Sequence, residues 1–194
     1  MHRLRRLITH AHPAFPSPSS AALPQRRVFH RTVQRHSRSA ATMTASDSTL
    51  RDFFKSPKYA VVGASTNTEK FGYKVFRWYV THNLPATPVN PGAKAIEVDG
   101  RAYPTVSSLS ELAGAEDTSV SVITPPHVTL KTLEEAKQLG IQSVFLQPGT
   151  FNDEVLAFAR ENFRTVLAGD GGWGSEGWCV LVDGERGLKS AGKL

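Results

Sequence analysis

Short apolar segments alternate with helical patterns through most of this 194-residue chain. The segments are rich in β-branched residues on both faces, which is typical of strands covered by helices on each side of a sheet. Strands that alternate with helices predict parallel pairing through crossover connections. The sequence therefore predicts an α/β fold with a doubly wound, five-stranded, mainly parallel sheet of Rossmann-like type. The predicted strands are residues 59–62, 87–90, 119–123, 143–146 and 165–167, and the predicted long helices are residues 72–82, 128–139 and 153–162.

Turn and cap residues mark the ends of these elements. Asp99-Gly100 is a tight-turn signal, Gly140 is a helix stop and Asn152 is a helix cap. Ser108 and Glu111 have the spacing of a capping box, which predicts a short helix there. A further short helix is expected from residue 47 or 48 to residue 54. Residues 178–182 are predicted to return as an edge strand, after a glycine-rich stretch at residues 169–177.

The positive charge of the chain lies in its N-terminal segment. Residues 1–45 contain eight arginines and no lysine or acidic residue, so their charge is +8. Because the whole chain has a net charge of +6, the rest of the chain carries −2. A nucleic-acid-binding domain would need its basic face on the folded part. The sequence therefore predicts neither nucleic-acid binding nor, in the absence of a long apolar run, a membrane span.

The N-terminal segment has the composition of a mitochondrial transit peptide, being rich in Arg and Ser and free of acids. We therefore expect residues 1–46 to be a transit peptide or disordered basic extension, residues 47–194 to be the single folded domain, and the protein to lie in the mitochondrial matrix. Two alternatives remain open. In the first, the segment is a disordered basic tail without a targeting signal. In the second, translation starts at Met43 and the protein is cytoplasmic.

The segment Lys58–Phe71 predicts a phosphate-binding turn. A buried strand ends in Gly63-Ala64-Ser65-Thr66 and leads, from Gly72, into a helix. The first N–H groups of a helix have no internal acceptor, and the helix dipole favours an anion there. In a parallel sheet, ligands bind beyond the carboxyl ends of the strands. The candidate segments are therefore residues 63–66, 90–94, 124–127 and 147–150.

The details of these segments favour a phosphorylated ribose over NAD. Gly63 fills the first place of the Gly-x-Gly-x-x-Gly dinucleotide fingerprint, but Ser65 and Thr68 occupy the other two. The second strand ends in Asn90 rather than in the acid that binds the hydroxyls of NAD. Lys94 follows closely and is suited to pairing with a phosphate. Both coenzyme A, with its 3′-phosphate, and NADP meet this condition.

Six motifs in order resemble the stand-alone CoA-binding domain proteins, which share the Rossmann-like fold of the succinyl-CoA synthetase α subunit. The resemblance covers residues 54–167 and continues more weakly to the end. The motifs are Val-Val-Gly-Ala-Ser (61–65), Phe-Gly-Tyr-Lys-Val (71–75), Pro-Val-Asn-Pro (88–91) with Lys94, Tyr-Pro-Thr-Val-Ser-Ser-Leu (103–109), Ile-Thr-Pro-Pro (123–126) and Val-Phe-Leu-Gln-Pro-Gly (144–149).

The resemblance implies a CoA ligand and gives each segment a role. The turn after the first strand would hold phosphate, the segment after the second strand would flank the adenosine, and the segment after the third would line the pocket floor. The predicted cofactor-binding residues are Gly63, Ala64, Ser65, Thr66, Gly72, Tyr73, Asn90, Pro91, Lys94, Thr124, Pro125 and Pro126.

No convergent catalytic set accompanies these residues. His127 follows a strand but has no paired acid or nucleophile, and Cys179, the single cysteine, is read as a buried structural thiol, with a redox or mixed-disulfide role as the alternative. The preferred hypothesis is non-catalytic binding of CoA or an acyl-CoA. The alternatives are an NADP-binding oxidoreductase-like or sensor protein, and an interaction subunit, paired with another protein or itself, whose vestigial pocket binds nothing tightly.

Overall fold

A computed structural model describes residues 45–194 of the chain, with side chains from residue 47 onward. Five α-helices and seven strands alternate through this part. Two single 3₁₀ turns, Leu109–Glu111 and Ala115–Asp117, precede β5. In chain order the elements are α1 (Ala45–Phe54), β1 (Lys58–Val62), α2 (Phe71–Thr81), β2 (Ala86–Val89), β3 (Ala95–Val98), β4 (Arg101–Pro104), β5 (Thr118–Val122), α3 (Pro126–Gln138), β6 (Ser143–Leu146), α4 (Asp153–Asn162), β7 (Thr165–Leu167) and α5 (Val180–Ala191).

The main sheet is parallel and has the strand order β2-β1-β5-β6-β7. Its register is continuous across the centre, where Tyr59 pairs with Ala86 on one side and with Ser119 on the other. β3 and β4 form a separate antiparallel hairpin. The chain therefore moves from β1 outward to β2 and then crosses to the other side of β1. This reversal of direction is the topological switch point at which ligands bind in such sheets.

Helices cover both faces of the sheet, so alternate residues of each strand enter two different cores. In β1, Tyr59 and Val61 belong to the core that also contains residues of α1, α2 and α5. Ala60 and Val62 face the other core, which contains residues of α3 and α4. All four are buried. The arrangement confirms the predicted doubly wound α/β fold and explains why both faces of the strands are apolar.

The predicted elements between residues 47 and 167 match the structure closely. β6 and β7 have the predicted bounds, and the other predicted strands and long helices agree to within one or two residues. Asn152 caps α4 as expected, because its side-chain oxygen accepts the N–H of Val155 at 3.0 Å. The Asp99-Gly100 turn joins β3 to β4, and both residues have positive φ, as a tight hairpin turn requires.

The capping box predicted at Ser108 is wrong. The Ser108 hydroxyl pairs with that of Ser110 at 2.7 Å, and Ser108 provides no side-chain cap. The Glu111 carboxylate accepts the N–H of Ser107, at 3.2 Å, rather than that of Ser108. A single 3₁₀ turn, Leu109–Glu111, is all that forms, because Leu109 is anchored in the core while the chain must turn toward β5.

The edge strand predicted at residues 178–182 is also wrong. Trp178 and Cys179 precede a helix, α5, which runs to Ala191. Its buried residues are Val180, Asp183, Gly184, Gly187 and Leu188, and this spacing of three and four residues is that of a helix face. The helical pattern is hard to recognise in the sequence because three of the five buried positions are not apolar side chains.

Two glycines let α5 pack closely against the rest of its core. A Cβ at Gly184 would overlap the Trp78 ring, and a Cβ at Gly187 would overlap the Phe54 ring of α1. Phe54 is fully buried. The packing of α5 against α1 and α2 thus depends on the missing side chains of two residues that are intrinsically unfavourable in helices.

The predicted transit peptide or disordered extension, residues 1–46, lies almost wholly outside the described residues, so the targeting hypothesis stays a prediction. Only Ala45 and Ser46, the first residues of α1, are described, and they are helical. In the described part of the chain, the longest helices fall short of the length and apolar character that a bilayer crossing requires.

Gly187→Ala tests the close packing of α5. We expect the substitution to lower the free energy of unfolding by about 1–3 kcal/mol, because the new methyl group overlaps a buried ring. Helix propensity alone acts in the opposite direction, by about 1 kcal/mol. Urea unfolding followed by circular dichroism measures the difference.

The matched control is Lys189→Ala, on the exposed face of the same helix, which should change stability by less than about 0.5 kcal/mol. A Gly187→Ala variant as stable as the wild type would contradict the proposed packing.

Candidate functional site

A cavity of about 740 Å³ lies beyond the carboxyl ends of β1, β2 and β5. We call it the β1–β2 cavity. It occupies the topological switch point of the sheet, where two neighbouring crossovers leave in opposite directions. Its lining comes from residues 62–65, 69–72, 89–91, 107–109 and 123–125, with Val128, Thr132 and Glu135 of α3.

The close approach of α2 to the end of β1 shapes the floor of this cavity. A Cβ at Gly72 would overlap the carbonyl oxygen of Gly63. Gly63 itself has φ +87°, and a Cβ there would lie 2.8 Å from the Ile123 oxygen. Both positions thus require glycine. Gly72 places the helix against the strand, which is the task of the third glycine in the dinucleotide fingerprint, but at a different spacing.

The turn and the helix start contain unpaired backbone donors in residues that line the cavity. Within the described residues, the N–H groups of Ala64, Ser65, Phe71 and Gly72 have no acceptor, and all four residues line the cavity. Lys70, the residue before α2, provides no side-chain cap. Such a helix start, with free donors and a partial positive charge, favours an anion.

Asn90 fixes the turn after β2 against the turn after β1. Its side-chain N–H donates to the Ala64 carbonyl at 2.7 Å, and its side-chain oxygen accepts the N–H of Gly92, also at 2.7 Å. The Asn90 backbone N–H donates to Val106 at 2.9 Å. One amide side chain therefore holds two rims of the cavity in a fixed relation, so part of its hydrogen-bonding capacity is already used by the protein.

The charged groups around the β1–β2 cavity are of both signs. Lys70 is the cation of the lining, and it lies at the start of α2. Glu69 and Glu135 are the acids. Glu135 is partly occupied, because its carboxylate accepts the N–H of Ser110 at 2.9 Å. Glu69 and Lys70 both lie on the β1–α2 turn, so one side-chain charge of each sign stands beside the free N–H groups.

A second cavity, of about 550 Å³, lies beyond β5 and β6, and we call it the β6 cavity. It is lined by residues 123–125, 147–150 and 174–177, together with Phe71, Val75, Cys179 and Val182. Phe71, Ile123, Thr124 and Pro125 line both cavities. The two cavities are therefore neighbours that share one wall at the centre of the sheet edge.

The glycine-rich loop, residues 169–177, closes one side of the β6 cavity and is anchored by Asp183. This fully buried carboxylate accepts the backbone N–H groups of Trp173, at 2.9 Å, and Cys179, at 3.1 Å. It also accepts a hydrogen bond from Arg186 at 3.1 Å. The Arg186 guanidinium in turn lies 4.2 Å from the centroid of the Trp173 ring. The loop is therefore tied to α5 rather than free.

Two tryptophans, one within the loop and one directly after it, differ in environment. Trp178 is 6% exposed and packs in the core, whereas Trp173 is 71% exposed. Trp173 does not line either of the two cavities. The packing is therefore that of a loop with one packed tryptophan rather than of a lid formed by both.

Cys179 is a half-buried thiol at the start of α5 and lines the β6 cavity. Burial raises its pKa above the ordinary cysteine value, although N–H groups of Leu181 and Val182 partly offset this effect. The neutral thiol is thus favoured at neutral pH, which suits a structural role better than a nucleophilic one.

Most of the residues predicted from the sequence meet at the β1–β2 cavity. The eight that line it are Gly63, Ala64, Ser65, Gly72, Asn90, Pro91, Thr124 and Pro125. The other four, Thr66, Tyr73, Lys94 and Pro126, lie outside the lining; three of them directly follow a lining residue in the chain, and Lys94 lies three residues after Pro91. The Lys94 side chain is exposed, and its carbonyl accepts the N–H of Thr105 at 3.1 Å. Ligand contact by all twelve stays a prediction.

Several lining residues were not assigned a site role from the sequence. Ser107 and Ser108 reach the cavity because Val106 pairs with Val89 beside β2. Lys70 and Glu135 come from the starts and flanks of helices, where single charged residues have no distinctive pattern. The motif at residues 103–109 is the sequence signal that includes Ser107 and Ser108.

No metal-binding cluster appears in residues 45–194. The described histidine, cysteine and acidic side chains form no group of three that is suited to a metal ion. His127 is exposed in the first turn of α3 and lines neither cavity. The arrangement is one of backbone donors, proline-rich rims and a few charges, which suits binding.

Comparison with known proteins agrees with this geometry. The family model described as "CoA binding domain" matches residues 57–174. The α subunit of acetate–CoA ligase (ADP-forming) I from Pyrococcus furiosus is 30% identical over 97 residues, which are 49% of this chain and 21% of the ligase subunit. The chain thus spans about a fifth of the length of that curated relative.

Two solved structures share the fold. A hypothetical protein from Pyrococcus horikoshii OT3 is 26% identical with a TM-score of 0.60, over 76% of this chain and 94% of its own. A Thermus thermophilus protein, cell-free ID.343, is 27% identical with a TM-score of 0.54, over 64% of this chain and 90% of its own. With the family model covering more than half of the residues, the chain belongs to the CoA-binding domain family.

Proposed function

We propose that this protein binds coenzyme A or an acyl-CoA without transforming it, and that the diphosphate lies on the β1–α2 turn. The observation that carries the proposal is the set of free N–H groups at Ala64, Ser65, Phe71 and Gly72, which line one cavity at the start of an uncapped helix. A diphosphate supplies the acceptors and the negative charge that such a helix start lacks.

The adenosine end of the ligand is placed near the end of β2. Asn90 and Pro91 line this side of the cavity, and no acidic side chain follows β2 directly. An acid there would repel a phosphorylated ribose. Lys70, which lines the cavity, is proposed to pair with the diphosphate. Lys94, which follows β2 and does not line the cavity, is proposed to pair with the ribose 3′-phosphate.

Binding without catalysis is favoured by the chemistry of the lining. Activated nucleophiles need an adjacent base within hydrogen-bond reach. The Cys179 thiol has a raised pKa, and His127 lies outside both cavities. Glu135, one of the two acids that line the β1–β2 cavity, already accepts a backbone hydrogen bond.

Calorimetric titration with four ligands tests the proposal. We expect saturable binding of CoA, weaker binding of dephospho-CoA, which lacks the ribose phosphate, and no binding of NAD. The difference between CoA and dephospho-CoA isolates the contribution of that phosphate. Saturable heat with NADP and none with CoA would replace the proposal with the NADP-binding alternative, and no heat with either would favour the interaction subunit.

Two lysine substitutions test the proposed phosphate contacts. Lys70→Ala is expected to weaken CoA and dephospho-CoA alike, by about fivefold, which corresponds to about 1 kcal/mol, because both ligands carry the diphosphate. Lys94→Ala is expected to weaken CoA but not dephospho-CoA. Titration of each variant with both ligands measures the four affinities.

Arg160→Ala is the matched control, since it removes one exposed positive charge from α4, away from both cavities. It should bind both ligands like the wild type. Wild-type affinity in both lysine variants would contradict the proposed placement of the phosphates.

A further inference from the structure

The β6 cavity contains a buried side-chain donor that has no acceptor within the described residues. Gln147 is 4% exposed and lines this cavity. Its Oε1 accepts the N–H of Val180, the first residue of α5, at 3.0 Å. This bond fixes the orientation of the amide, so the other end is Nε2, and Nε2 has no hydrogen-bond partner. A buried donor of this kind calls for an explanation, because most are paired.

The position of Gln147 relative to the proposed diphosphate site suggests what the missing acceptor is. The β6 cavity shares Phe71, Ile123, Thr124 and Pro125 with the β1–β2 cavity. A ligand that leaves its diphosphate at the β1–α2 turn therefore extends its pantetheine arm across this shared wall. The far end of the arm, with the sulfur and any acyl group, then reaches the β6 cavity.

The polar groups of the β6 cavity favour an uncharged acceptor. The first N–H groups of α5 do not form a free anion site, because those of Cys179 and Val180 are bonded to Asp183 and Gln147. Glu176 adds a negative charge to the lining, and it would repel a carboxylate. A neutral carbonyl oxygen fits the single amide donor.

The remaining lining accommodates an apolar chain. Val75 and Val182 line the same cavity, together with Phe71 and Ile123. The Thr150 hydroxyl does not add a donor, because it already donates to the Gln147 carbonyl at 2.7 Å. The cavity thus places the unpaired Gln147 amide donor beside apolar walls, which fits a thioester carbonyl followed by an aliphatic group.

We propose that the ligand of this protein is an acyl-CoA with an uncharged aliphatic acyl group, whose thioester carbonyl accepts a hydrogen bond from Gln147 Nε2. This inference rests on the proposed function, because it assumes that the diphosphate occupies the β1–β2 cavity. The two amide carbonyls of pantetheine are the other neutral acceptors of the same ligand, and they are also present in free CoA. The test therefore separates the thioester from the pantetheine arm.

A matched pair of ligands provides the first test, with the wild-type full chain. Butyryl-CoA and S-butyl-CoA have the same chain length, but the thioether lacks the carbonyl oxygen. We expect calorimetry to show that butyryl-CoA binds about 3- to 10-fold more tightly than S-butyl-CoA, as is typical of one neutral hydrogen bond. Equal affinities for the two ligands would overturn the inference.

Gln147→Glu provides the second test, because it keeps an oxygen for the Val180 N–H and replaces the amide donor. The variant is expected to lose the preference for butyryl-CoA over S-butyl-CoA while its affinity for free CoA stays within twofold of the wild type. A variant that weakens CoA and butyryl-CoA by the same factor would assign the amide to a pantetheine carbonyl and overturn the inference. Gln142→Glu, the same exchange at an exposed residue that lines neither cavity, is the control and should retain the preference.

Failure of the proposed function gives a different result from failure of this inference. If CoA, butyryl-CoA and S-butyl-CoA all fail to bind the wild-type chain, the proposed function is wrong and the inference falls with it. If CoA binds but the thioester has no advantage over the thioether, only the inference is wrong. The ligand-pair comparison needs no substitution, so it holds even if Gln147→Glu fails to fold.

Discussion

The contact between the start of α2 and the end of β1 determines the shape of the site. The backbone of Gly72 lies so close to the Gly63 carbonyl that Gly72 tolerates no side chain, and Gly63 tolerates none because of its positive φ and the nearby Ile123 oxygen. This approach brings the free N–H groups of the turn and of the helix to one surface. A helix that began a few ångströms farther away would leave those donors to water. The missing atoms of two glycines thus create the concave surface of free N–H donors on which the proposed function depends.

The glycine-rich loop beside the β6 cavity is held in one conformation by hydrogen bonds to a buried carboxylate. Asp183 is fully buried and accepts hydrogen bonds from two backbone N–H groups and from Arg186. These bonds to α5 therefore hold the loop in place. The helix α5 in turn packs closely against α1 and α2 at Gly184 and Gly187. The N–H of Val180, at the start of the same helix, donates to the side chain of Gln147, the residue that follows β6. The wall of the β6 cavity is thus connected by hydrogen bonds to the core packing of α5.

The order of strands and helices was predictable from the sequence because it follows from local patterns. Asn152 caps its helix, and Asp99-Gly100 turns its hairpin, through bonds and backbone angles within a few residues. The two errors have a common cause. The buried face of α5 contains glycines and an aspartate in place of apolar side chains. The conformation of the segment at Ser108 is determined by the burial of Leu109 rather than by its own capping groups. In both places distant partners decide the local conformation.

The sequence by itself determined the α/β fold, the switch-point location of the site and the glycine turn, because hydrophobic period and turn chemistry are short-range properties. Only the tertiary structure decided which neighbours complete the site. Ser107, Glu135 and Gln147 are far apart in the chain and carry no shared pattern, yet sheet pairing and helix packing bring them to the two cavities. It also decided that Lys94 lies outside the lining and that the Gln147 amide is left with an unpaired donor. Such relations depend on distances between elements, which a linear pattern of residue types does not encode.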